Sequence, residues 1–186
     1  DPGNKAFVIR QLEAVGNDGS VVFLTPCLQN ERLADPAARA LVRINTATAR
    51  KALLDALQNA SGNTRLTLIE ALGDCRSKEA VTAISAFVNS DDKKLSKVSL
   101  YALARIADPA SASLLAAAAE KSHWVYDETG ATQAYLDYAE QLNAEGNTAQ
   151  AEQIADSVLQ KAKAGNQVHT RTAALKILTG IQKEKA

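Results

Sequence analysis

The residues best suited to chemistry stand in one short run, His123-Trp124-Val125-Tyr126-Asp127-Glu128, which holds the chain's only Trp and one of its two His. Trp and Tyr offer large contact area at little entropic cost, which suits a partner interface or a sugar-stacking surface. His123, Trp124, Tyr126 and Asp127 therefore form a candidate binding surface. The competing reading is that Trp124 and Tyr126 fill the joint between two kinds of helical hairpin. A metal site built from His123, Asp127 and Glu128 lacks a fixed second His or Cys. General acid–base chemistry needs a His or a carboxylate pair positioned in a pocket. His169, beside Thr170 at an expected helix start, suits a solvated or capping role instead. Cys27 and Cys75 read as free thiols, too few for a disulfide framework or a metal-ligand set. No Ser or Cys sits in a nucleophile motif, and no Gly-rich phosphate loop or Cys-x-x-Cys-His haem motif occurs. No catalytic residue, cofactor or metal is expected, and the chain is read as a non-enzyme.

A second candidate surface is basic. Arg39, Arg43, Arg50 and Lys51 cluster in sequence, so Arg50 and Lys51 are candidates for an anionic partner, with plain surface solubility as the competing reading. Phosphate binding needs several cations on one face. The expected second helices expose Arg50, Lys51, Asp55, Lys78, Glu79, Ser111, Ser113 and Glu120, whose signs are mixed, so nucleic acid is not the expected partner.

The elements that must position these residues follow from composition and spacing. Apolar residues make up 46% and aromatics only 4%, with Ala and Leu dominant, which favours helix over strand. Lys plus Arg and Asp plus Glu both number 21, so the net charge is zero and nothing attracts polyanions at long range. No apolar run reaches the roughly 20 residues of a membrane span, and no signal peptide is visible. The absence of any Met favours a processed or excised piece of a longer protein, and a removed leader would give it an extracytoplasmic address.

The stretch 63–90 shows the repeating unit. Leu68, Ile69 and Leu72 share one stripe, and Ala80, Val81, Ile84, Phe87 and Val88 stand at offsets 0, 1, 4, 7 and 8. Gly73 fits the left-handed turn between them, and Ser77 fits the next cap. A hairpin of this size cannot bury both stripes alone and must stack on a neighbour. Weaker copies surround it. Leu12 and Val15 point inward in the first helix, and Pro26 shortens or kinks the second. Asp35-Pro36 opens a third helix, Asn45 turns it and Thr46 caps the fourth. Asp108-Pro109 repeats the Asp-Pro device before a thin helix over 110–121. A longer, more polar hairpin follows over 131–164. A terminal helix from Thr170 turns Ala174, Leu175 and Leu178 inward. Matching positions Leu12, Leu41, Ile69, Leu103, Ala139 and Leu175 are 29, 28, 34, 36 and 36 residues apart, in or near the range of stacked helix pairs.

Ile69-Glu-Ala-Leu-Gly and Glu79-Ala-Val-Thr-Ala-Ile-Ser-Ala-Phe-Val resemble HEAT repeats, nearest the short bacterial kind of phycobilisome-lyase proteins. Leu12-Glu-Ala-Val-Gly, Leu41-Val-Arg-Ile-Asn and Leu103-Ala-Arg-Ile-Ala echo them. Tyr138-Ala-Glu-Gln-Leu-Asn-Ala-Glu-Gly-Asn, with Ala151, Ala155 and Leu159, looks like one tetratricopeptide unit, without that family's final proline. The expected fold is all-α: a right-handed α-solenoid of about five hairpins plus a terminal helix. Residues 1–121 form HEAT-like repeats, 122–130 an irregular aromatic linker, and 131–186 the longer hairpin and last helix, continuous with the same solenoid. The resemblance implies a scaffold that binds protein or peptide, other domains of a parent chain included. The alternative is an accessory helical domain of a secreted enzyme, such as a carbohydrate-active one.

Overall fold

Turn chemistry sets the helix boundaries. In the computed structural model, which describes residues 2–185 with side chains placed over 5–183, Asn45 (φ 45°) and Ala107 (φ 53°) adopt the left-handed conformation that stops a helix. Thr46 accepts from the Ala49 amide at 3.2 Å, Asp92 from Lys94 and Leu95, and Asp108 from Ala110 at 2.9 Å. Arginines finish other ends. Arg50 donates to the Asn45 carbonyl at 2.9 Å, Arg65 to Ala60 at 2.8 Å, and Arg171 to Ala162 and Ala164 at 3.0 and 2.8 Å. A cation at a helix C-terminus meets both the orphan carbonyls and the negative end of the dipole.

The described residues contain eleven α-helices and no strand. They are α1 (Pro2–Val15), α2 (Val21–Leu24), α3 (Ala34–Ile44), α4 (Ala47–Leu57), α5 (Gly62–Asp74), α6 (Val81–Ser85), α7 (Lys93–Ile106), α8 (Ala112–Lys121), α9 (Ala131–Ala144), α10 (Thr148–Lys161) and α11 (Val168–Lys185). In chain order they make five pairs and a terminal helix, the succession of an all-α repeat protein of the α-solenoid kind. No helix among the described residues is long and apolar enough to cross a membrane.

The chain divides into two compact units, one ending at Ala80 and the other starting at Val81. In the first, α3 lies between α1 and α5, while α4 packs on α3, α5 and the 3₁₀ turn Thr25–Gln29. Its core holds Leu24, Leu28, Leu41, Leu53, Leu68, Ile69 and Leu72, each fully buried. Thr46 also donates to Asp18 at 2.5 Å, tying the second pair to the first. In the second unit α9 is central, touching α7, α8, α10 and α11, and Leu100, Leu103, Ile106 and Tyr138 fill the interior.

Several boundaries differ from expectation. Gly73 does not turn the chain: it is buried inside α5, and Arg76 (φ 52°) takes the left-handed position, with the Ser77 amide reaching back to Leu72 at 3.0 Å. The helix expected over Lys78–Val88 narrows to a 3₁₀ turn and the five residues of α6, and Phe87 is half-buried outside it. Helix α3 starts at Ala34, so Asp35 lies in its first turn rather than at its cap. Pro26 ends α2 by opening a 3₁₀ turn, where its missing amide costs nothing. Val15 points outward at 75% exposure and Leu12 is only half-buried. In α11 the inward stripe is Thr170, Ala174, Ile177 and Ile181, while Leu175 is 51% exposed.

Candidate functional site

Helix α8 ends at Lys121, and its last carbonyls are closed by Ser122 and His123, whose amides reach Ala118 and Glu120, and by Trp124, whose amide reaches Ala119 at 3.1 Å. His123 (φ 53°) is the left-handed residue of that closure, and Trp124 (φ 60°) is left-handed as well. Positive φ at a bulky residue costs on the order of 1–3 kcal/mol and persists only where its surroundings enforce it. Here they do. The Gln167 amide donates to the His123 carbonyl at 2.6 Å, and the buried Thr170 hydroxyl donates to the Trp124 carbonyl at 2.6 Å. The Ser122 and Thr132 hydroxyls, both buried, lie 2.9 Å apart.

This geometry separates the aromatic cluster. Trp124 turns inward, 8% exposed, with the Tyr135 ring 6.2 Å away and the Lys161 ammonium 4.8 Å from its centroid. Tyr126 stays 43% exposed and meets His169 edge-on at 6.3 Å. Partial burial, then the Asp137 and Glu140 carboxylates, push its phenol above the ordinary value. The His123 side chain is exposed. Asp127 is also exposed and accepts from the Thr129 amide and hydroxyl at 3.0 and 2.6 Å, closing a local turn into α9. Glu128 pairs with Lys93 at the start of α7.

A groove of about 330 Å³ opens beside this turn. Its walls are the 88–91 loop, the start of α7, the end of α8 and the 127–131 turn, and its charged lining is Asp91, Lys93, Lys121 and Asp127. Ser96 holds the loop by donating to the Val88 carbonyl at 2.6 Å. Two cations and two carboxylates line it, and no His does. Such a surface suits hydrogen bonding and ion pairing with an extended chain better than proton transfer.

Arg50 and Lys51 belong to the other unit and are engaged locally. Arg50 is held on the Asn45 carbonyl and side chain at 2.9 and 3.1 Å, and Lys51 pairs with Asp55 at 2.6 Å. Arg39 pairs with Asp35 at 3.2 Å. Arg39 and Arg43 line one groove with Glu13, Glu70 and Asp74, whereas Arg50 and Lys51 line another with Glu79. The four cations do not converge.

The cysteines are both free, Cys27 half-buried and Cys75 buried. Burial pushes the Cys75 thiol up to about 11; Arg50 opposes the shift and Asp74 adds to it. Its folded pKa exceeds the unfolded one, so Cys75 leaves stability unchanged below about 9 and lowers it as pH rises from there toward about 11. Thermal melts should show a fall across that window that shrinks in Cys75→Ala. At neutral pH a thiol reagent should label Cys27 at least about tenfold faster than Cys75 in the folded chain. Equal rates would place Cys75 at the surface. Among the described residues no group of three or more His, Cys, Asp or Glu is arranged to hold a metal ion.

Gln167, Thr170, Lys161 and Lys121 were not singled out by sequence. Thr170 had a readable signal, a hydroxyl on the stripe of Ala174, Ile177 and Ile181, where a buried polar group needs a partner.

A family profile described as HEAT repeats matches residues 51–135, from α4 into α9. It covers both walls of the groove up to the start of α9. No curated protein matches the chain.

Proposed function

We propose that the chain is a non-enzymatic helical-repeat module that holds an extended protein or peptide segment in the groove beside the 122–130 break. The carrying observation is that the groove is open and lined by charges of both signs, with its 88–91 loop tied to α7 through Ser96 and Asp127 held in a local turn. A framed surface loses little ordering entropy on binding, which is how stacked hairpins turn shape into affinity. The HEAT-repeat match supports this reading, since such arrays serve as scaffolds. The partner is a polypeptide rather than nucleic acid, because Arg39 and Lys51 are paired, Arg50 is engaged in capping, and the four cations of the basic cluster do not share one groove. It is a peptide rather than a glycan, because Trp124 is packed inward and leaves Tyr126 as the exposed ring of the cluster. The short HEAT units and the tetratricopeptide-like α9–α10 pair then act as the groove's frame.

Selection from a random displayed peptide library tests this. Peptides captured by the chain should lose at least about tenfold in affinity, roughly 1.4 kcal/mol, when Lys121→Glu is combined with Asp91→Lys. They should bind Arg50→Glu/Lys51→Glu unchanged and be recovered intact. Equal binding to the groove variant would refute the assignment, and cleaved or modified peptides would refute the non-enzymatic reading.

A further inference from the structure

Four charges line the groove beside the 122–130 break, and two of them are already committed. Lys93 at the start of α7 is paired with Glu128, which lies outside the lining. Asp127 accepts from the Thr129 amide and hydroxyl within its own turn. Asp91 and Lys121 differ. Both are exposed, one on the 88–91 loop and the other at the end of α8. Among the described residues neither side chain makes a hydrogen bond or an ion pair, with the other or with any third group.

The hydroxyls of the lining are committed as well. Ser96 donates to the Val88 carbonyl at 2.6 Å, and Ser122 donates to the Ala119 carbonyl at 2.8 Å beside Thr132. The Thr129 hydroxyl donates to Asp127, and Ser90 accepts from the Asp92 amide at 3.2 Å. Asn89 stays exposed on the loop next to Asp91. Away from that loop, the lining offers an occupant Lys121 and the small apolar surface of Leu100, Ala118 and Ala131.

That inventory sets the chemistry of an occupant. A segment laid in the groove strips water from Asp91 and Lys121, and a charge that loses water without gaining a partner is costly. A neutral segment leaves both charges bare. A segment of one sign satisfies one and opposes the other. A segment with a cation for Asp91 and an anion for Lys121 satisfies both, and the penalty on the alternatives is what makes the choice specific. Building on the peptide-binding reading above, we infer that the groove selects a bipolar segment: one Lys or Arg, one Asp or Glu, and small apolar residues between them seated on Leu100, Ala118 and Ala131. At about 330 Å³ the groove lies at the lower end of ligand sites, so the recognised element is a few residues of a longer polypeptide.

The test uses peptides captured by the full chain from a random displayed library and resynthesised with both termini blocked. Each should contain the cation and the anion, and replacing either with Gln should lower affinity at least about tenfold, roughly 1.4 kcal/mol. Each loss should couple to one groove residue. Asp91→Asn should weaken the parent peptide by a similar factor and leave unchanged the peptide that already lacks its cation; Lys121→Gln should behave likewise toward the anion. Charge exchange should rescue binding: Asp91→Lys should prefer the peptide whose cation has become Glu, and Lys121→Glu the peptide whose anion has become Lys. Both positions are exposed, so the melting curve should stay within the scale of surface changes throughout. Captured peptides that weaken on Lys121→Glu/Asp91→Lys but carry no such pair of charges would overturn this inference and leave the peptide-binding reading standing. So would binding that disappears once the termini are blocked. Peptides indifferent to both groove residues would overturn that reading, and this inference with it.

Discussion

Trp124→Ala is expected to lower stability by about 3–5 kcal/mol, the range for emptying a large aromatic site in a packed interior. The indole is 8% exposed, Tyr135 stands against it, and Lys161 lies over its face. Alanine removes both contacts along with the burial and relieves no strain, because alanine at φ 60° is as disfavoured as tryptophan. The site has little freedom to collapse, since Gln167 and Thr170 fix the backbone on either side of the peptide carrying the side chain. Thr170→Val separates the two contributions. It keeps volume but leaves the buried Trp124 carbonyl without its donor, at about 1–3 kcal/mol. Denaturant midpoints at constant slope measure both. A Trp124→Ala loss below about 1 kcal/mol, the scale of surface changes, would return the indole to the surface as a contact residue.

Leu103→Ala should cost about 2–5 kcal/mol. Leu103 is fully buried on α7, the helix against which α9 packs, so the cavity opens at the centre of the second unit. Its counterpart in the repeat register, Leu175, is 51% exposed, and Leu175→Ala should change stability by no more than about 0.5 kcal/mol. Equal losses at the two positions would mean that α11 packs with the face read here as free. Leu41, Ile69 and Ala139, the other interior members of the register, are fully buried like Leu103, whereas Leu12 is only half-buried. The register is thus buried at its four interior members and half-buried or exposed at its first and last.

That contrast explains what could be read from the chain alone. Asn45, Thr46 and Asp108 act on residues within five positions, so their turn chemistry is written locally and was legible. The division into helix pairs was legible for the same reason. Gly73 misled because a glycine near a helix end suits either a left-handed turn or a tight packing contact. Only neighbours distant in sequence decide between them, and the turn fell instead to Arg76. Helix α11 misled because Val168, Leu175 and Leu178 are as apolar as Ala174, Ile177 and Ile181. Two stripes competed, and packing on α9 and α10, distant in sequence, decided which one faced in. The aromatic run was legible as a special place but its direction was not. Whether Trp124 faces in or out depends on backbone angles held by Gln167 and Thr170, 44 and 46 residues onward from the carbonyls they bind.

The peptide carbonyls of His123 and Trp124 are bound, while Asp127 and Glu128, a few residues later, face solvent. One short connection thus contains a half anchored by Gln167 and Thr170 and an exposed half held by the Asp127–Thr129 turn and the Glu128–Lys93 pair. Added length at Asp127–Glu128 would bulge into water and leave the anchor intact, whereas the same addition at His123–Trp124 would draw the indole from its seat and unhook α11. An affinity handle, a fluorescent reporter or a natural insertion at Asp127–Glu128 would therefore spare the fold and act on the groove alone.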